Sequence, residues 1–131
     1  MTETRIPPSH RQLLAPPAPV TLATVGLTGY PQVTAVWAVL EGDLIVTSLA
    51  GVRQKLKNLT AHPKATVFAI DPANQYRTLE VRGDVTIEPD PDFVTLRAVL
   101  AAYGTDLESF QGPLEGRVTV TIHPTRVVAL G

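Results

Sequence analysis

The stretch LEVRGDVTI at residues 79–87 alternates without a break. Leu79, Val81, Gly83, Val85 and Ile87 fall on one side, and Glu80, Arg82, Asp84 and Thr86 on the other. A period of two puts the apolar set on a core and the polar set in water, which defines a strand with one buried face. Such strands belong to antiparallel sheets, because parallel sheets are covered on both faces. The glycine on the inner side predicts close packing, a bulge or the bend of a barrel. We expect the longest strand over residues 76–87. Arg82 with Glu80 and Asp84 reads as solvated surface or as the rim of a subunit interface.

The other segments fit around it. VTLATV at 20–25 is a first strand, and Gly26, Gly29 and Pro31 mark a hairpin connection. VTAVWAVL at 33–40 is a second, apolar on nearly both faces, which predicts a core on one side and a ligand or partner subunit on the other. Glu41-Gly42 turns into a strand at 43–48. Strands are expected again at 65–70 and 118–122, with a short one at 126–130. Ser9 is placed to cap a very short helix through Leu14, stopped by Ala15-Pro16-Pro17, behind an N-terminal arm at 1–11 that includes Pro7-Pro8. Asp90-Pro91 reads as the cap and first residue of a helix with Phe93, Leu96, Leu100 and Tyr103 as its buried stripe, ended or kinked by Gly104. Residues 107–116 read as loop or a short turn of helix. The order β-β-β-α-β-β-α-β argues against a doubly wound parallel fold. It points to one domain over 1–131, mostly β with two or three helices: a six-stranded, mostly antiparallel barrel.

The period changes once in a way that suggests function. After the turn Leu49-Ala50-Gly51, Val52, Leu56 and Leu59 follow helical spacing. Arg53, Lys55 and Lys57 crowd the start of that helix, where the backbone already carries partial positive charge. An anion held by the free amides would remove the conflict, and Thr47 and Ser48 arrive at the same place from the preceding strand. The ordinary alternative is an exposed basic helix that serves solubility.

Composition narrows the classes. There are 11 basic and 12 acidic residues, for a formal charge of −1, which gives no general reason to bind nucleic acid or anionic membrane. The 131 residues contain no cysteine, so disulfides, thiolate catalysis and cysteine-bound metal are excluded. His10, His62 and His123 are too scattered for a metal site; the last two precede proline and read as turn residues. Asp90 and Asp92 suit a helix start better than an acid–base pair. The first residues lack the apolar run of a signal peptide, and no stretch is long enough to span a membrane, so a cytoplasmic location is expected.

LATVGLTGYPQVTAVW at 22–37, DLIVTSL at 43–49, RQKLKNLTAHPKATVFA at 53–69 and LEVRGDVTI at 79–87 together resemble the pyridoxamine 5'-phosphate oxidase-like split-barrel family. Within it they are most similar to the actinobacterial-type branch that uses the deazaflavin coenzyme F-420. The resemblance covers about residues 12–130. It implies a split β-barrel and a homodimer with cofactor clefts between subunits. It also implies a cofactor phosphate gripped by Arg53 and Lys55, with Thr47, Ser48, and Lys57 or Asn58. The ring would lie along Pro31, Gln32, Val33, Thr34 and Val36, and hydride transfer would need no dedicated nucleophile on the chain. Trp37 and Tyr76 are the candidates for substrate or ring contact, with packing or the dimer interface as the ordinary alternative for each. Arg11 is a further cation for the cofactor's lactyl and polyglutamate tail. Pyridoxamine phosphate oxidases proper carry a basic C-terminal substrate segment, whereas HPTRVVALG has only Arg126, so vitamin salvage is not expected. Flavin mononucleotide shares the ribityl-phosphate handle and remains the alternative cofactor. A non-catalytic carrier of flavin, deazaflavin or haem is the alternative from another class, and a nucleic-acid-binding barrel fits least.

Overall fold

A computed structural model describes residues 4–131. A 3-10 turn, Arg11–Leu14, precedes the strands β1 (Val20–Val25), β2 (Pro31–Val36), β3 (Ala38–Glu41) and β4 (Leu44–Leu49). Helix α1 (Gln54–Ala61) leads to β5 (Lys64–Asp71) and β6 (Asn74–Pro89), and helix α2 (Val94–Ala102) to β7 (Val118–Leu130). All pairings are antiparallel, in the order β2-β1-β5-β6-β7-β4-β3. The two ends of that order are consecutive in the chain, with Trp37 alone between them. Two peptide units span at most roughly 7 Å. The sheet must therefore curl until its edges meet, and the result is the split antiparallel barrel expected.

The expected second strand is thus two, and the strand count rises from six to seven. The reason lies outside the segment. Tyr103, from the end of α2, stacks on Trp37 with ring centroids 4.7 Å apart and planes 6° from parallel. Its hydroxyl accepts from the Ala38 amide at 3.0 Å and donates to the Ala38 carbonyl at 2.9 Å. Those bonds take up backbone groups that a continuous strand would pair elsewhere. The final strand also differs, since residues 118–130 form one long strand rather than two short ones.

Gly83 acts as its position promised. The β6–β7 register shifts between Arg82 and Gly83, and a Cβ there would lie 2.5 Å from the His123 carbonyl oxygen. His123 sits inside β7 with its ring nitrogen 3.0 Å from the Thr86 hydroxyl, so it is not a turn residue. Glu80 and Arg82 pair on the outer face at 2.7 Å, and Asp84 pairs with Lys64. Leu22, Ile45, Leu59, Leu79, Val81 and Ile122 fill the barrel, each almost fully buried.

Both helices begin later than their sequence signals suggested. Val52 is outside α1 and 59% exposed, and Arg53 is its extended N-cap. The buried face is Leu56, Asn58 and Leu59. Pro91 lies before α2, whose N-cap is Phe93 in the left-handed region at φ 59°. Asp90 still serves the helix from further back. Its buried carboxylate accepts from the amides of Val94, Thr95 and Leu96 at 2.8, 3.1 and 3.1 Å. That satisfies three of the free donors at the helix start. The α2 stripe is Leu96, Val99 and Leu100, with Phe93 and Tyr103 only half-buried.

At the N-terminus Ser9 does not cap the 3-10 turn; His10 does, without a side-chain bond. His10 is buried between the Ser9 hydroxyl and the Leu130 carbonyl. The segment ahead of it packs rather than projects: Ile6 is 2% exposed and its amide donates to Asp43. Residues 1–3 of the expected arm lie outside the described residues. No helix among the described residues is long and apolar enough to cross a membrane.

Candidate functional site

β4 delivers Thr47 and Ser48 to the mouth of a cavity of about 540 Å³, and the chain leaves through Ala50 towards α1. That size is in the range of small-molecule and cofactor sites. Arg53 and Lys55 line it from the start of the helix, and Val36 and Trp37 from the strand break. Leu96, Val99 and Leu100 of α2 form an apolar wall with Phe110, and Arg117 completes the lining. Among the described residues no carboxylate takes part in it.

Lys55 bridges from the helix to β2, its Nζ donating to Thr34 Oγ1 at 3.2 Å. Burial, and then the charge of Arg53, hold its amine below the usual lysine range. The Arg117 guanidinium is lowered likewise by burial and by Arg53, against a smaller opposing effect of Asp90. Three cations thus share a partly desolvated space whose lining, among the described residues, holds no acid. The first turn of α1 holds no acidic residue either, so its free amides add to the positive field. Of these groups, Arg53, Lys55 and the α1 amides converge where the strand hands over to the helix, and that donor set fits a phosphate group.

The proposed grip separates into two parts. Arg53, Lys55, Thr47, Ser48, Val36 and Trp37 meet at this cavity, with Thr34 one bond away through Lys55. Pro31, Gln32, Lys57 and Asn58 line a second concavity, beside the β1–β2 hairpin. Asn58 is committed to the fold: it is buried, donates to Thr24 Oγ1 at 3.1 Å and Gln32 Oε1 at 3.3 Å, and accepts from Gln54 at 2.9 Å. Gly26 packs so closely on it that any Cβ there would collide with its amide. Thr47 is buried and donates its proton to the Trp37 carbonyl at 2.7 Å, so it braces the strand break. Val33 is 59% exposed on the outer sheet face, and Tyr76, 76% exposed, lines neither concavity. Arg11 is paired with Asp43 at 3.0 Å and with the Gly42 carbonyl, away from the cavity.

Sequence reasoning missed Arg117, Phe110 and the α2 wall as parts of the site, and Tyr103 as the support of Trp37. A lone arginine before a strand carries no periodic signal; the long connection from α2 to β7, residues 103–117, is the one hint, since loops of that length often serve function. Among the described residues no group of three His, Asp or Glu is gathered as metal ligands would be.

The chain matches the pyridoxamine 5'-phosphate oxidase family over residues 6–131. It belongs to that family. Within the same fold, a solved structure named F-420 reductase is 35% identical, with 94% of this chain and 98% of that one covered and a TM-score of 0.83. A conserved hypothetical protein of Mycobacterium tuberculosis, Rv2991, is 20% identical over 98% of this chain and 86% of its own, with a TM-score of 0.77. The HupZ protein of Group A Streptococcus is 15% identical over 95% and 94%, with a TM-score of 0.71. At those identities the last two speak to the fold alone. Among curated proteins none matches at a significant level.

Proposed function

We propose that this protein is an oxidoreductase that binds coenzyme F-420 and passes its hydride to an unsaturated or conjugated small organic acceptor. One observation carries the reading. Arg53 and Lys55 converge on a cavity, lined by no acid among the described residues, where the strand β4 hands over to α1. The similarity to a protein named F-420 reductase, over nearly the whole of both chains, favours the deazaflavin over flavin mononucleotide. When bound, reduced F-420 supplies a hydride that, with one proton from water, saturates one double bond of the acceptor and leaves the cofactor oxidised.

The chain's own part is binding, orientation and exclusion of water. Arg53 and Lys55 hold the phosphate, Thr34 Oγ1 steers the Lys55 amine, and Ser48 borders the same corner. Trp37 is fixed by Tyr103 and offers a rigid aromatic edge to a planar ring or acceptor. The α2 wall keeps the reacting groups away from bulk water.

A homodimer is part of the proposal. Val33, Ala23, Thr66, Phe68 and Ile70 share the outer face of β2, β1 and β5, with Val33 and Ile70 more than half exposed. An apolar sheet face of that kind calls for cover. Pairing there would account for Val33, and Tyr76 is a further interface group. The expected location is the cytoplasm. Titrating the purified protein with oxidised F-420 and with flavin mononucleotide, by fluorescence quenching, tests the reading. Tighter binding of F-420 supports it, binding of the flavin alone moves the assignment to that cofactor, and binding of neither refutes it.

A further inference from the structure

Arg117 is the cation of the cavity that the phosphate grip does not use. Its Nε donates to the Pro113 carbonyl at 2.9 Å, and its Nη1 lies 3.3 Å from both the carbonyl and the hydroxyl of Ser48. The guanidinium carbon stands 4.9 Å from the centre of the Phe110 ring. Those contacts fix the plane of the group. Nη2 has no hydrogen-bond partner among the described residues. Asp90, the acid whose charge reaches Arg117, is engaged by three amides of α2. A planar guanidinium held in one orientation is matched to a carboxylate in a way that a flexible ammonium is not. Leu96, Val99, Leu100 and Phe110 supply apolar surface in the same cavity.

We propose that Arg117 binds a carboxylate of the hydride acceptor, so that the acceptor is a small conjugated molecule with an apolar body and one anionic end. The proposal rests on the cofactor reading above: with the F-420 phosphate on Arg53 and Lys55, the Nη2 N–H groups of Arg117 are left for the second ligand.

Trp37 lines this cavity and is the chain's only tryptophan, so one indole N–H signal reports occupancy. The experiment follows that signal by nitrogen-15 NMR in protein saturated with oxidised F-420. It compares trans-cinnamate with its uncharged isostere trans-cinnamamide. Cinnamate should shift the signal saturably and bind at least tenfold tighter than the amide. Arg117→Gln should remove that preference, leave the amide's affinity unchanged and change F-420 affinity less than threefold.

Equal affinities of the two probes in the native protein overturn the proposal. So does a tenfold loss of F-420 in R117Q, which would put the cofactor's own phosphate or tail at Arg117. Arg117 also ties down the segment around Pro113, so Arg117→Lys carries the test if R117Q does not fold. Keeping the charge without the oriented Nη2 donors, it should lose at least threefold for cinnamate and nothing for the amide, and an unchanged cinnamate affinity overturns the proposal. Should the native protein fail to take up F-420, the cofactor reading falls. The two probes on cofactor-free protein then judge Arg117 alone: cinnamate binding lost in R117Q and kept in Lys55→Met supports it, and the reverse overturns it.

Discussion

Replacing Lys55 by methionine removes a charge and keeps most of the apolar stem. In the cofactor-free protein the amine makes one side-chain bond, to Thr34, and its charge is disfavoured by burial and by Arg53. Losing it should therefore leave the fold intact and its melting temperature unchanged or slightly raised. In the complex the same amine faces a phosphate. Hydrogen bonds to charged groups contribute about 1.5–3 kcal/mol. At about 1.4 kcal/mol per tenfold, that is a loss of roughly ten- to a hundredfold in F-420 affinity. The assay is quenching of the cofactor's fluorescence, run in low and in high salt. The difference between native and K55M should shrink with salt, because exposed parts of the interaction are screened. A change of affinity under twofold, in a variant with a native melting curve, would remove Lys55 from the site and refute the reasoning.

Other expectations follow from particular contacts. Between the lowered pKa of Lys55 and the ordinary lysine value, the unfolded chain binds more protons than the folded one. Stability of the cofactor-free protein should thus rise with pH across that window, and K55M should flatten the rise, as urea titrations at several pH values will show. Gly83→Ala forces a Cβ against the His123 carbonyl and should cost about 1–3 kcal/mol by urea denaturation. Asp90→Ala strands three amides at the start of α2 and should cost at least about 2 kcal/mol, with loss of the ligand-accessible cavity wall seen as weaker probe binding. Tyr103→Phe keeps the stack on Trp37 and drops the clamp on Ala38; about 1–2 kcal/mol should be lost, with a blue or red shift of the Trp37 emission.

The barrel could be read because its signals are local. Alternation over 79–87 set the faces of β6, and a glycine on the inner face implied the irregularity that the β6–β7 register shows. The break at Trp37 could not, because VTAVWAVL is apolar on nearly both faces and the residue that divides it, Tyr103, lies 65 positions beyond Ala38. The start of α1 was misplaced for a related reason: Val52 has the right spacing for the buried stripe, yet the chain is still extended at Arg53. Of the site, the Arg53–Lys55 corner was legible as a conflict of charge with the helix N-terminus. Asn58 was not legible as a brace, since its partners Thr24 and Gln32 come from two other strands. Arg117 depends on Phe110, Pro113 and Ser48, a setting that only the folded chain assembles.

The central claim is that an anionic cofactor is anchored where β4 gives way to α1. A crystal grown with saturating oxidised F-420 tests it most directly. The account predicts the phosphate within hydrogen-bonding distance, about 2.7–3.0 Å, of both Arg53 and Lys55. A phosphate seated at the second concavity beside Lys57, or density for the cofactor nowhere on the chain, would contradict it.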